Sequence, residues 1–239
     1  MQCRCCVRYS IFFPLRSGSQ RVINKNSRPF LKTGESLFQL KMKHVARLAD
    51  EFEKVCEVVI STDDQLVLTQ AEPFLSDKIK IDLRPRHLCL STTKVQDLID
   101  YVPSIVFGEH VFWLHATSPF VGYEDYVKAL VQYEDCLGKG CDSLMSVNKI
   151  QQFIWDAKLS KVINVDRGIN PWPNTQDLAP LYEINHAFYI SSKANYIALR
   201  DRIGRSPSLY LCDGIKSIDI DLEDDFSMAK LIASEVNGY

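Results

Sequence analysis

The sequence predicts an α/β fold built on an open, mostly parallel sheet. Two observations carry this. Short apolar, β-branched and aromatic runs alternate with segments of helical periodicity, and polar or charged residues gather repeatedly just after the apolar runs. Helical crossovers make successive strands parallel, and the ligands of such sheets bind outside the carboxyl ends of the strands. At 239 residues the chain fits one large domain, residues 1–239, carrying a β-rich excursion over residues 148–177.

Residues 9–13 form the first strand, which Pro14 ends because it cannot donate to a ladder. The loop that follows gathers Arg16, Arg21 and Lys25, with Ser17, Gly18 and Ser19 between them to let the backbone approach a ligand. Backbone amides and three cations suit a polyphosphate. Gly18 stands alone, so neither a P-loop nor a dinucleotide fingerprint is present, and a solvated basic connection is the alternative reading.

Residues 36–50 place Leu37, Leu40, Val45 and Leu48 at helical spacing behind Ser36 as N-cap. The apolar strand 55–60 breaks into Ser61, Thr62, Asp63 and Asp64 before a helix over 65–71, so these polar residues either cap that helix or meet a ligand. Strand 79–83 runs into Arg84 and Pro85. A helix over 94–105 has its end disturbed by Pro103. Strand 110–115 leaves through Ala116, Thr117, Ser118 and Pro119; a helix over 123–133 and a strand over 143–147 follow.

The excursion holds Trp155, Trp172 and a strand candidate at 161–165, and exposed aromatics there would suit a subunit interface. The sheet resumes at 187–190, with a helix over 191–202 and a strand over 208–212. Residues 217–221 alternate apolar and acidic, so Asp219 and Asp221 share one side of an extended segment. Like charges so placed are tolerated beside a cation, and magnesium is usually held by one or two carboxylates plus substrate phosphates. A solvated edge strand, or capping of the final helix over 223–236, is the alternative.

A net charge of −2 gives no global field for nucleic acid or an anionic membrane. No run approaches the roughly 18 apolar residues of a membrane span, and the first residues lack a signal peptide pattern. Of the eight cysteines, Cys56, Cys89, Cys136, Cys141 and Cys212 are scattered, several of them inside apolar runs, which points to a reduced, cytoplasmic setting. Cys3, Cys5 and Cys6 look like half of a zinc cluster without its downstream partners.

The basic loop and the acidic pair are complementary parts. One holds a nucleoside triphosphate and the other positions a metal that neutralises charge at phosphorus. No activated serine or cysteine is evident, so nucleotidyl transfer by direct in-line attack is the reaction class that fits.

In this the sequence resembles the acylneuraminate cytidylyltransferase family, the CMP-sialic acid synthetases and their relatives. The residues that carry the resemblance are Arg16-Ser17-Gly18-Ser19-Gln20-Arg21 with Lys25-Asn26, Ser61-Thr62-Asp63-Asp64, Arg84-Pro85, Thr117-Ser118-Pro119, Gln176-Asp177, Asn185 with Ala187, and Ser217-Ile218-Asp219-Ile220-Asp221. They run through nearly the whole chain in the family's order. The resemblance implies a Rossmann-like nucleotidyltransferase three-layer fold, and CTP with a 2-keto sugar acid as substrates, giving a CMP-sugar and pyrophosphate with Mg2+. By position, Arg16, Arg21 and Lys25 would grip the CTP phosphates beside Ser17, Gly18, Ser19 and Asn26. Arg84, Ser91 and Thr92 would lie near cytosine and ribose, and Asp219 and Asp221 would bind the metal. The sugar would meet His115, Thr117, Ser118, Gln176, Asn185 and His186. Members are typically homodimers whose excursion reaches the neighbouring site.

Departures from the family pattern cluster on the sugar side. His115-Ala116 replaces a common Gln-Pro, Val121 a common arginine, and Glu183 and His186 stand where sialic acid enzymes tend to have arginine and glycine. On the nucleotide side, Gln20 replaces a lysine and Ser91 an aspartate. Alternative acceptors such as 3-deoxy-manno-octulosonate, and a non-catalytic nucleotide-binding homologue, therefore stand beside the sialic-type reading.

Overall fold

The structure is a computed structural model and describes residues 7–236. The amino-terminal Cys3, Cys5 and Cys6 lie outside the described residues. Along the chain come β1 (Tyr9–Pro14), α1 (Leu37–Glu51), β2 (Val55–Thr62), α2 (Gln65–Ala71), β3 (Ile79–Leu83), α3 (Val95–Ile105) and β4 (His110–Leu114). Then follow α4 (Tyr123–Leu137), β5 (Ser143–Ile150), β6 (Trp155–Asp156), β7 (Lys161–Val162), β8 (Leu181–Ser192), α5 (Lys193–Leu199), β9 (Pro207–Cys212) and α6 (Glu223–Glu235).

Seven strands form one sheet in the order β3-β2-β1-β4-β8-β5-β9. All neighbours are parallel except those of β8, which runs antiparallel to both β4 and β5. The sheet is thus mostly parallel, as the helical crossovers predict, and β8 is the exception with a physical cause. The excursion leaves β5 at its carboxyl end and contains the small β6-β7 hairpin and a short 3-10 turn, Thr175–Asp177. Nothing in it crosses the sheet, so the chain re-enters from the end it left.

The strands read clearly in the sequence because they are covered on both faces. Ile11 and Phe13 of β1, and Phe112 of β4, pack on one side with α1 and α4 residues such as Leu37, Val45 and Tyr126. On the other side Phe12, Val59, Val111 and Trp113 meet Ile99 and Val102 of α3 and Tyr196 of α5. Ser36 caps α1 as expected, accepting from the Gln39 amide while the Gln39 side chain accepts from the Ser36 amide.

Several boundaries move: the helix expected over 123–133 runs on to Leu137, the strand over 143–147 to Ile150, and the strand candidate at 161–165 is only Lys161–Val162. β8 begins at Leu181 rather than 187, and α5 ends at Leu199 rather than 202 because Arg200 turns left-handed, with φ 53°. Arg202 is therefore released from the helix. The segment expected to be extended over 217–221 joins no sheet: Ser217 ends a short 3-10 turn, Gly214–Ser217, Ile218 is extended, and 218–221 belong to no helix or strand.

Gly122, at the start of α4, lies against His44 of α1, and a Cβ there would come 3.0 Å from the imidazole. Burial in this contact, with the Lys41 charge beside it, pushes the His44 imidazole from 6.5 down to about 4. The unfolded chain therefore binds a proton that the folded chain refuses between those values, and folding stability falls as pH drops through that window. About 1–3 kcal/mol is expected to be lost between pH 6.5 and 4, allowing for the partial exposure of the ring. His44→Gln should flatten this step in urea titrations; an unchanged slope in the variant would place the acid sensitivity elsewhere.

Candidate active site

The carboxyl ends of β1, β3 and β4 open onto one cleft of about 440 Å³, whose lining includes Pro14, Arg16, Arg21, Lys25, Asn26, Arg84, His115, Thr117, His186, Arg202, Asp219 and Asp221. A second recess of about 370 Å³ shares Arg16, Arg21, Lys25 and Asp221 with it and adds Ser19 and Gln20. The chain leaves these strands with Pro14, Arg84 and His115, so polar groups are brought together by parallel strand geometry.

The basic loop is held in place from β2. Asp63 accepts from both the amide and the hydroxyl of Ser17, each at 2.8 Å. Asp64 caps α2, accepting from the Leu66 amide at 2.9 Å. The two aspartates after β2 thus divide loop anchoring from helix capping. Gly18 sits at φ 67° with open space around a would-be Cβ, so the backbone conformation rather than crowding calls for glycine. Arg16 donates to the Leu90 carbonyl at 3.0 Å. Arg84 is buried and bound to Ser61 through its side-chain oxygen and its carbonyl.

Opposite the loop lies the acidic segment, fixed by its backbone. The Ile220 amide donates to the Thr117 carbonyl at 2.9 Å, and Lys25 Nζ donates to the Ile220 carbonyl at 2.6 Å. Asp225, in the first turn of α6, accepts from the Asp221 and Leu222 amides at 3.0 and 2.7 Å. Asp221 pairs with Arg21 at 3.0 Å. Burial, with Asp221 adding to it, raises the Asp219 carboxyl above the usual range, while the Thr117 hydroxyl and the Lys25 charge pull the other way. Burial lowers the Lys25 ammonium, with Asp219 and Asp221 opposing.

Asp219 Oδ1 is buried without a hydrogen-bond partner. An unpartnered carboxylate oxygen beside a second carboxylate is a hard-oxygen donor set that fits magnesium. Among the described residues no three His, Cys, Asp or Glu side chains gather to hold an ion by themselves. Substrate phosphate oxygens would complete such a site.

The far wall is aromatic. Trp113 stacks on His115 with ring centres 6.0 Å apart, and His186 Nδ1 lies 2.6 Å from the Tyr189 hydroxyl. β8 bulges here, because Met145 pairs with Tyr189 but Val147 pairs with Ile184. His186 occupies the bulge at φ 58°, a left-handed conformation that costs a non-glycine residue on the order of 1 kcal/mol. The bulge turns its side chain into the cleft. Burial together with the Arg202 charge holds the His115 and His186 imidazoles below their ordinary value, so both are neutral near pH 7.

Other residues singled out in the sequence stand apart from the main cleft. Ser91 and Thr92 occupy an exposed turn. Gln176 is exposed, and its carbonyl accepts from Gln151 at 2.9 Å. Ser118 is buried. Asn185 is buried and used within the bulge, donating to Asn148 at 2.8 Å and accepting from the Ala187 amide at 3.1 Å. Conversely, Trp113, Leu98, Val95 and Arg202 line the cleft without having been predicted to. A helix stop read at Arg200 would have found Arg202, but no glycine marks it.

The profile of the cytidylyltransferase family matches residues 11–229. The N-acylneuraminate cytidylyltransferase of Escherichia coli O18:K1:H7 is 27% identical over 227 residues, covering 94% of this chain and 52% of that protein. That of Streptococcus agalactiae serotype III is 26% identical over 220 residues, covering 89% and 50%. The chain spans about half the length of these curated relatives. Among solved structures, CMP:2-keto-3-deoxy-manno-octonic acid synthetase in complex with CTP superposes with a TM-score of 0.60 at 18% identity, over 96% of this chain and all of that one. The 4-diphosphocytidyl-2C-methyl-D-erythritol synthase of Anaerococcus prevotii gives 0.63 at 13% identity, over 95% and 96%. These show a shared nucleotidyltransferase fold. With its basic loop and acidic segment lying inside the matched span, the chain belongs to the cytidylyltransferase family.

Proposed function

We propose that this chain transfers CMP from CTP to the anomeric hydroxyl of a sialic-type 2-keto sugar acid, releasing pyrophosphate, with Mg2+ held by Asp219 and Asp221. The observation that carries the reading is the meeting of the basic loop and the acidic segment across one cleft at the ends of parallel strands. The names of the E. coli and S. agalactiae relatives support the acceptor class.

Arg16, Arg21 and Lys25 bind the triphosphate, and the amides of Gly18 and Ser19 add neutral donors, the Ser17 amide being held by Asp63. Arg84 lies at the nucleoside end. The acceptor enters along Trp113, His115 and His186. Its anomeric oxygen attacks the α-phosphorus in line and gives up its proton to solvent, the bond from that phosphorus to the α,β-bridging oxygen breaks, and pyrophosphate leaves into the basic loop. Lys25 and Arg21 neutralise the charge that develops on the leaving group. Bound magnesium supplies Lewis-acid stabilisation of the phosphate oxygens. Asp225 and Lys25 keep the acidic segment in register with the phosphates, which is positioning rather than chemistry.

The test is pyrophosphate release with CTP, ATP, GTP or UTP, magnesium and a panel of 2-keto sugar acids, with and without a chelator. CTP-selective, chelator-sensitive release with one acid is expected. Metal-independent release, or selection of another nucleotide, would overturn the reading.

The excursion exposes Trp155, Ile169 and Trp172, the isoleucine by 84%. We infer that a second copy of the chain covers them in a homodimer. Ile169→Ser with Trp172→Ser is expected to convert a two-chain mass into a one-chain mass in sedimentation equilibrium; a one-chain mass in the unmutated protein would refute the dimer.

A further inference from the structure

Arg202 lines the cleft, and among the described residues no carboxylate pairs with it. Its guanidinium lies 3.9 Å from the centre of the Tyr189 ring and 4.9 Å from that of Trp113. Nη2 donates to the Tyr189 hydroxyl at 3.2 Å, and Nη1 stands 3.4 Å from His115 Nε2. The acids close to it in sequence are engaged elsewhere: Asp201 accepts from the Ile203 amide at 3.0 Å, and Asp100 pairs with Arg200. Its contacts are therefore aromatic faces, a phenol and a neutral imidazole.

A guanidinium has five N–H donors in a planar fork, and these contacts leave part of the fork open. A partly buried charge without a counter-ion is costly, and an incoming anion relieves that cost. The fork matches a carboxylate bidentately, and the rings on which it rests hold it in one orientation. The family resemblance leads one to look for such an arginine near Asn185, where this chain has Glu183. That glutamate is exposed, takes a hydrogen bond from Asn148 at 3.2 Å and does not line the cleft. It neither supplies a carboxylate contact nor blocks one. The chain instead brings a guanidinium to the same wall from the loop after α5, which the left-handed turn at Arg200 makes possible.

We propose that Arg202 binds the carboxylate of the acceptor and thereby selects 2-keto sugar acids over neutral acceptors. The inference rests on the cytidylyl transfer reading above and adds to it the residue that sets acceptor class.

The experiment compares the unmutated protein with Arg202→Met and Arg202→Lys in the full chain. For each, kcat/KM is measured for a 2-keto sugar acid, for its C1 carboxamide and for a sugar phosphate, together with KM for CTP. The unmutated protein is expected to prefer acid over carboxamide by roughly 10²-fold or more. Arg202→Met should lose about 10²-fold on the acid, mainly through acceptor KM, and bring the acid-to-carboxamide ratio near one, with KM for CTP changed by less than about twofold. Arg202→Lys should fall between, because it keeps the charge but not the fork. If Arg202→Met weakens acid and carboxamide equally, the residue is structural and the inference is overturned, while cytidylyl transfer stands. Turnover of the sugar phosphate but not the acid overturns the carboxylate assignment alone. Absence of CTP turnover with every acceptor overturns the functional reading and this inference with it.

Discussion

Asp219→Asn is expected to lower turnover roughly 10³-fold, about 4 kcal/mol of transition-state stabilisation, while CTP is still bound. The side chain sits in the cleft with Oδ1 buried and unpartnered, next to a second carboxylate. Asparagine keeps the volume and one acceptor oxygen but removes the charge that would hold a divalent cation against the phosphates. Asp221 is half-exposed and already paired with Arg21, so Asp221→Asn should cost less, on the order of 10²-fold, and should raise the magnesium concentration needed for half-maximal rate. Rates and metal titrations with CTP and an accepted sugar acid decide this. If Asp219→Asn left metal-dependent turnover intact, the metal site would have to lie elsewhere.

Lys25→Met is expected to cost about 10²–10³-fold, through two separable losses. One is a cation at the phosphates. The other is the 2.6 Å hydrogen bond to the Ile220 carbonyl, which lies between the two aspartates. Breaking that bond leaves a carbonyl short of its donor and loosens the segment on which Asp219 and Asp221 stand. The variant should therefore weaken magnesium dependence as well as CTP affinity. Lys25→Arg, which restores charge but not the short reach to the carbonyl, should recover CTP binding better than rate. A variant whose defect is confined to KM for CTP would show that the lysine serves the nucleotide alone.

How much of this was legible in the sequence depended on how local the cause was. The strands β1, β2 and β4 read as apolar runs because helices cover both faces, and Ser36 read as a cap because its partner Gln39 is three residues on. Arg16, Arg21, Lys25, Asp219 and Asp221 were legible as charge grouped at predicted strand ends, and the fold brings them into one cleft across some two hundred residues of chain. The start of β8 was hidden because Glu183, Asn185 and His186 break alternation, and they break it because a bulge with His186 at positive φ interrupts the pairing. Arg202 was hidden by its apparent place on a helix, which stops at a left-handed arginine rather than at glycine. Asp63 could be read only as a cap or ligand residue; its clamp on Ser17 joins segments 46 positions apart and has no local signature.

Cytidylyl transfer is tested most directly by ³¹P NMR of the protein with CTP, magnesium and the 2-keto sugar acids of the panel. Cytidylyl transfer should give a new phosphodiester resonance from the CMP-sugar, rising in step with pyrophosphate as the CTP signals fall. Release of inorganic phosphate instead, or CTP unchanged with every acid, would contradict it.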